Sequence, residues 1–273
     1  MPAESSFVAP ECSRVPCVYL LYHEIRPFPG QYSYAIEKRL FERHADMVAQ
    51  ARGDQEQSAS AEFTFDDGSA SDFEFALPVL SSRALRGHFF ITVGFIGNNP
   101  AYMAWQQVRS LCDAGHIIGG HGWSHTSLTH CSQKELDCEL RGSRETLEDK
   151  LGVPITTMSL PGGRYNRAVL AACREAGYGR VFTSEPRLET TTSEFTVGRV
   201  NVSANRTPEW IHALLQPHSR ELANLHRQYR IKRTAKAVLG DWIYERVWDA
   251  VTGRIIDREV GSTTAHDRTP NNP

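Results

Sequence analysis

Two short segments hold the residues best able to do chemistry. They are Phe63-Thr64-Phe65-Asp66-Asp67-Gly68 and, about 55 residues later, His121-Gly122-Trp123-Ser124-His125. Together they offer two adjacent carboxylates and two imidazoles four residues apart. Two imidazoles and one carboxylate can hold a divalent metal and leave positions open for water and substrate. The spare carboxylate can then accept a proton from that water. The pattern predicts a hydrolase.

Each half also has a plainer explanation. Asp-Asp-Gly is a common turn and helix cap, and a histidine pair can serve packing alone. The combination is what points to a metal centre. If strand geometry persists through Asp66 and Asp67, their side chains alternate, so one is a ligand and the other a base. Gly122 and the apolar run before it argue against a helix between the histidines, so a loop must curl back to aim both inward. His130 reads as a surface residue at a helix start. Cys131 and Cys138 lie close enough to consider as zinc ligands. However, the six cysteines show no CxxC spacing, and free thiols in a reducing compartment are the simpler reading.

These residues need elements to position them. Val18 to Tyr22 is a continuous apolar run, as expected of a strand buried on both faces, and it ends at His23. Strands are predicted over 62–65, 88–93, 117–118, 155–160, 179–184 and 195–202. Helices are predicted over 40–51, 76–85, 103–114, 132–151, 166–176 and 208–215, with 53–61 as a loop. This alternation predicts a parallel α/β fold, and about seven strands suit a closed or nearly closed barrel. His23, Asp66, Asp67, His121, Pro161-Gly162-Gly163 and Arg199 all follow strands, and in a barrel those ends share one face. The expected domains are a lead-in over 1–16, the barrel over 17–216, a basic helical extension over 217–255 and a disordered tail over 256–273.

The extension reads as two helices broken at Gly240, with Trp242, Tyr244 and Trp248 on the second. Eight basic residues against four acidic ones over 219–254 suit an anionic membrane surface or a solvated face. The whole chain of 273 residues carries a formal charge of -2, which argues against non-specific nucleic-acid binding. No secretory signal or membrane span is visible, so the expected location is cytoplasmic, with peripheral contact at the inner membrane face through 220–254.

The two opening segments resemble the first and second motifs of the NodB-homology polysaccharide deacetylases, carbohydrate esterase family 4. The resemblance covers roughly residues 16–215. It implies a distorted (β/α)7 barrel, here with a C-terminal helical extension. It also implies Asp66 as catalytic base, and Asp67, His121 and His125 as ligands of a metal, usually zinc, with cobalt and nickel sharing the ligand set. The implied substrate is an N-acetylated amino sugar or glycan.

Two departures stand out. Where the family has Arg-x-Pro-Tyr-Gly, this chain has Ser159-Leu160-Pro161-Gly162-Gly163. The base-orienting arginine is missing, and Arg199 is the candidate to replace it. The Gly162 N–H can still serve an oxyanion, because that role needs no side chain. The late Leu-x-x-His motif is also unmatched by His212, His218 or His226. Leu20-Leu21-Tyr22-His23 instead resembles the corresponding strand in deacetylases with a permuted motif order, such as those acting on poly-N-acetylglucosamine. There His23 would be the general acid. Two other readings stay open: a deformylase or amidase of a small molecule on the same fold, and a non-catalytic glycan-binding module.

Overall fold

The computed structural model describes residues 16–30, 32–52, 58–191 and 194–239. Most of the lead-in, the Gly240 break, the second aromatic helix and the tail lie outside the described residues. The chain divides into two units, residues 1–229 and 230–273. Among the described residues, no helix is long and apolar enough to cross a membrane.

In chain order the first unit runs β1 (Cys17–Tyr22), β2 (Glu24–Arg26), β3 (Ala35–Glu37), α1 (Lys38–Arg52), β4 (Ser60–Phe65), α2 (Leu77–Ser81) and β5 (Gly87–Ile91). It continues through α3 (Trp105–Asp113), β6 (Ile117–Gly120), α4 (Gln133–Asp137), α5 (Ser143–Leu151), β7 (Thr157–Ser159) and α6 (Arg167–Glu175). Then follow β8 (Arg180–Phe182), β9 (Thr196–Val197), β10 (Val200–Asn201), α7 (Pro208–Leu215) and α8 (Arg220–Leu239), whose last ten residues belong to the second unit.

Eight strands form one sheet in the order β10-β1-β4-β5-β6-β7-β8-β9, and every pair is parallel. The two edge strands are neighbours in the chain, joined only by Gly198 and Arg199. Three residue steps cannot span more than about 11 Å, so the edges stand close and the sheet curls towards closure. Sequence pattern predicts one strand over 195–202. The structure splits it, one half pairing with β8 and the other with β1. Seven strand positions therefore carry eight strands.

Alternation along the strands sorts the side chains. One set faces the helices and joins the large outer core with Phe41, Val48, Leu80, Leu111, Leu147 and Ile211. The other set forms a small inner cluster of Cys17, Tyr19, Phe90, Phe182 and Val197. Its rings meet edge-on or tilted, Tyr19 with Phe182 at 5.2 Å and Phe90 with Phe182 at 4.9 Å between centroids. This aromatic plug fills the barrel below the site. Glycine makes room for it, because a Cβ at Gly119 would sit 2.5 Å from the Phe90 ring.

Local signals end and start the helices. Asn166 caps α6 through the Val169 N–H at 2.9 Å, and Gly152 ends α5 with φ 69°. The predicted helix over 132–151 is α4 and α5 with a π-helical turn over Cys138–Gly142 between them. The predicted helix over 76–85 starts earlier, with a π-helical turn at Asp72–Ala76, and ends with α2. The short β2–β3 pair has no counterpart among the predicted strands, since three-residue strands carry too little alternation to read.

Candidate active site

Asp66 and Asp67 part company at the end of β4. The Asp66 N–H still bonds the Tyr22 carbonyl at 3.1 Å, so Asp66 keeps strand geometry and is 3% exposed. Asp67 has φ 76°, in the left-handed region that costs a non-glycine residue strain. That turn swings its carboxylate towards the histidine loop.

At the end of β6 the His121 N–H bonds the Ile91 carbonyl at 2.9 Å, which extends the ladder by one residue. Its Nδ1–H donates to the Ser159 carbonyl at 2.8 Å, leaving Nε2 as the lone-pair nitrogen. Gly122 (φ 81°) then reverses the chain, and His125 (φ 58°) brings the second ring back. The Nε2 atoms of His121 and His125 each lie 3.3 Å from Asp67 Oδ1. That oxygen is buried and has no hydrogen-bond partner.

Among the described residues, Asp67, His121 and His125 form the one group whose ligand atoms all lie within 4.8 Å of one another. Two neutral imidazole nitrogens and a carboxylate oxygen converge on one point, which fits a divalent cation of the borderline class. Asp67 and His125 keep 26% side-chain exposure, so the open side faces solvent. Exposed His130 takes no part, and neither do Cys131 and Cys138.

Beside this triad, Arg199 donates to Asp66 Oδ1 at 2.7 Å and Oδ2 at 2.9 Å. It lies at the break between β9 and β10 and is 1% exposed. The Ser159 hydroxyl donates to Asp66 Oδ2 at 2.9 Å and accepts from Arg199 at 2.7 Å. The guanidinium rests over the inner plug, 5.5 Å from the Phe90 ring centroid. Arg199 is thus no surface ion pair. It is buried and holds both oxygens of Asp66.

Burial raises the pKa of Asp66, but Arg199 and His121 outweigh it and hold the carboxyl well below the usual range. Burial also raises Asp67, and a proton on neighbouring His121 outweighs it and brings the carboxyl below its ordinary value. Asp72 goes the other way. It is fully buried, neither carboxylate oxygen has a hydrogen-bond partner, and burial plus the charges of Asp67 and Asp66 push its pKa well up. Nothing in the sequence around Asp72 set it apart from an ordinary helix-start acid.

His23 follows β1 directly. Tyr22 pairs with Phe65, so His23 stands beside Asp66, and a charge on it lowers the pKa of both Asp66 and Asp67. Its ring is half-buried against Tyr34, 5.3 Å between centroids, and its Nδ1 lacks a partner. Gly162 lies in an exposed turn at φ 62°, three residues past Ser159. His212 and His226 are engaged elsewhere, with Gln216 and the Pro186 carbonyl.

The polysaccharide deacetylase family model matches residues 53–181. The putative polysaccharide deacetylase YxkH of Bacillus subtilis (strain 168) is 28% identical over 123 residues, 45% of this chain and 44% of that protein. The peptidoglycan-N-acetylmuramic acid deacetylase PdaA of the same organism is 26% identical over 196 residues, 71% of this chain and 68% of that one. The chain therefore spans less than half of YxkH.

Among solved structures, the Streptococcus pyogenes deacetylase PplD in complex with acetate superposes with TM-score 0.67 at 17% identity, covering 75% of this chain and all of that one. IcaB from Ammonifex degensii gives 0.60 at 22% identity, covering 72% and 97%. At those identities the likeness is one of fold. The family match includes both ends of the metal triad but stops short of His23 and Arg199, whose placement rests on the geometry above. Over residues 53–181 the chain is similar to the polysaccharide deacetylases, and its parallel barrel has the fold of the solved deacetylases named above.

Proposed function

We propose that this chain is a metal-dependent hydrolase that removes the N-acetyl group from an N-acetylated amino sugar. The observation that carries the reading is the pairing of a three-ligand metal cluster with a separate, arginine-held carboxylate. A divalent cation on Asp67, His121 and His125, zinc by the ligand set, supplies Lewis acidity: it acidifies water and polarises an amide carbonyl.

Asp66 accepts a proton from the attacking water. Arg199 and Ser159 fix both of its oxygens, so its orientation does not drift during proton transfer. The Gly162 N–H, exposed at its turn, donates to the carbonyl oxygen as charge grows there. His23 protonates the departing nitrogen. The C–N bond breaks, and a free amine and acetate result. Taking the acid from the first strand and the arginine from the last agrees with a permuted motif order.

The acceptor is a polymer, a lipid-linked glycan or a sugar precursor. The relatives' names, which specify peptidoglycan and polysaccharide, favour a glycan over a small amide. A cytoplasmic setting would favour the precursor. Exposed basic residues such as Arg220 and Arg227 at the start of α8 suit contact with an anionic membrane face.

Purified protein should contain about one divalent metal per chain and release acetate from N-acetylglucosamine oligomers. Asp66→Asn should leave the metal in place and nearly abolish turnover. Metal without acetate release from any N-acetylated sugar would favour a glycan-binding module instead.

A further inference from the structure

Two of the three residues between His121 and His125, Trp123 and Ser124, are held by a side chain outside both motifs. Glu139 lies in the π-helical turn Cys138–Gly142 and is 6% exposed. Its Oε2 accepts the backbone N–H groups of Trp123 at 2.7 Å and Ser124 at 3.1 Å. Its Oε1 accepts the Ser124 hydroxyl at 2.5 Å.

The carbonyls of the same loop are held from the other side. The Val93 N–H donates to the Gly122 carbonyl at 3.2 Å, and the Gly94 N–H to the Trp123 carbonyl at 2.8 Å. Backbone therefore takes the carbonyls of the Gly122–Trp123 and Trp123–Ser124 peptides, and one carboxylate takes their N–H groups. The loop needs such restraint, because Gly122 and His125 both have positive φ and His125 is not glycine.

Two details fit this role. A π-helical turn inserts a residue into the helix and re-aims the side chains around it, a device found often at functional sites. A Cβ at Gly122 would lie 2.8 Å from Glu139 Oε2, so the carboxylate's approach, as well as the φ of 81°, requires glycine there.

We infer that Glu139 is a positioning residue for the metal centre: it fixes the backbone from Gly122 to Ser124 so that both imidazoles face Asp67. The inference rests on reading Asp67, His121 and His125 as metal ligands. Glu139 acts through the loop and not on the substrate, so its effect belongs in metal affinity and coordination geometry.

The test loads wild-type protein and variants with Co2+. It reads affinity by competition with a chelator and geometry by the visible absorption band, after melting curves of each metal-free protein. Glu139→Ala should bind Co2+ about 10- to 100-fold more weakly and with a shifted band. Glu139→Gln keeps a carbonyl oxygen for the two N–H groups and should recover most of the affinity. Ser124→Ala, which removes only the hydroxyl bond, should fall between them. Wild-type affinity and band in Glu139→Ala overturn the inference. If that variant does not fold, Ser124→Ala decides in the same way. A wild-type chain that binds no Co2+ overturns the metal reading itself, and this inference with it.

Discussion

Arg199 donates to both carboxylate oxygens of Asp66 across 133 residues of sequence. Both are buried, and Ser159 closes the arrangement into a three-residue ring. The guanidinium's charge holds this buried carboxyl well below the usual range and so favours its ionised form. Orientation is what the arginine adds. The planar fork fixes the carboxylate plane, and the aromatic plug beneath fixes the fork.

Arg199→Lys keeps the charge and loses the fork. Turnover should fall about 100-fold with little change in metal content, since a small misplacement of a catalytic group has that effect. Arg199→Ala leaves Asp66 as an unpaired buried charge and should cost about 3–5 kcal/mol in urea unfolding. A lysine variant with wild-type turnover would show that the guanidinium does not orient the base.

His23→Gln separates the acid from the rest of the mechanism. Loss of general-acid assistance should slow amide hydrolysis by about 100- to 10,000-fold. An aryl acetate has a leaving group that needs no proton, so its hydrolysis should stay near the wild-type rate. Equal losses on the two substrates would remove His23 from the acid role.

Asp72→Asn should stabilise the protein at neutral pH. The folded-state pKa of Asp72 is raised, so its contribution is fully present below the unfolded value and is lost as pH rises above it. At pH 7 the unfolded chain releases this proton freely and the folded chain does not. The neutral amide escapes that penalty. Melting temperatures of the two proteins should differ most at pH 7–8 and converge near pH 4; a constant difference would contradict the burial argument.

Gly119→Ala should destabilise the barrel without touching a reacting group. The added Cβ would meet the Phe90 ring at 2.5 Å and Thr157 Oγ1 at 2.6 Å, on the inner face where the plug cannot retreat. Overpacking of this kind costs about 1–3 kcal/mol. Urea unfolding at constant m-value would measure it.

The proposed metal ligands and base are legible in the sequence because each lies within a few residues of a strand end. Local chain direction alone makes Asp66-Asp67 and His121/His125 converge once the strands are parallel. The parallel strands are themselves legible as apolar runs such as Val18–Tyr22, since burial on both faces removes polar alternation. The strand over 195–202 was legible as a strand, though its break was not. Its halves face different partners, and nothing local says that β9 must follow β8 while β10 reaches β1.

That break decides the rest. Arg199 reaches Asp66 because the two sheet edges are consecutive in the chain, a property of the whole sheet and not of any segment. Glu139 meets the histidine loop because an inserted residue turns a helix that reads as continuous. The sequence by itself determined which residues could bind a metal and move a proton. Tertiary structure decided which residues hold them in place, because a support is chosen by distance in space and leaves no spacing to read.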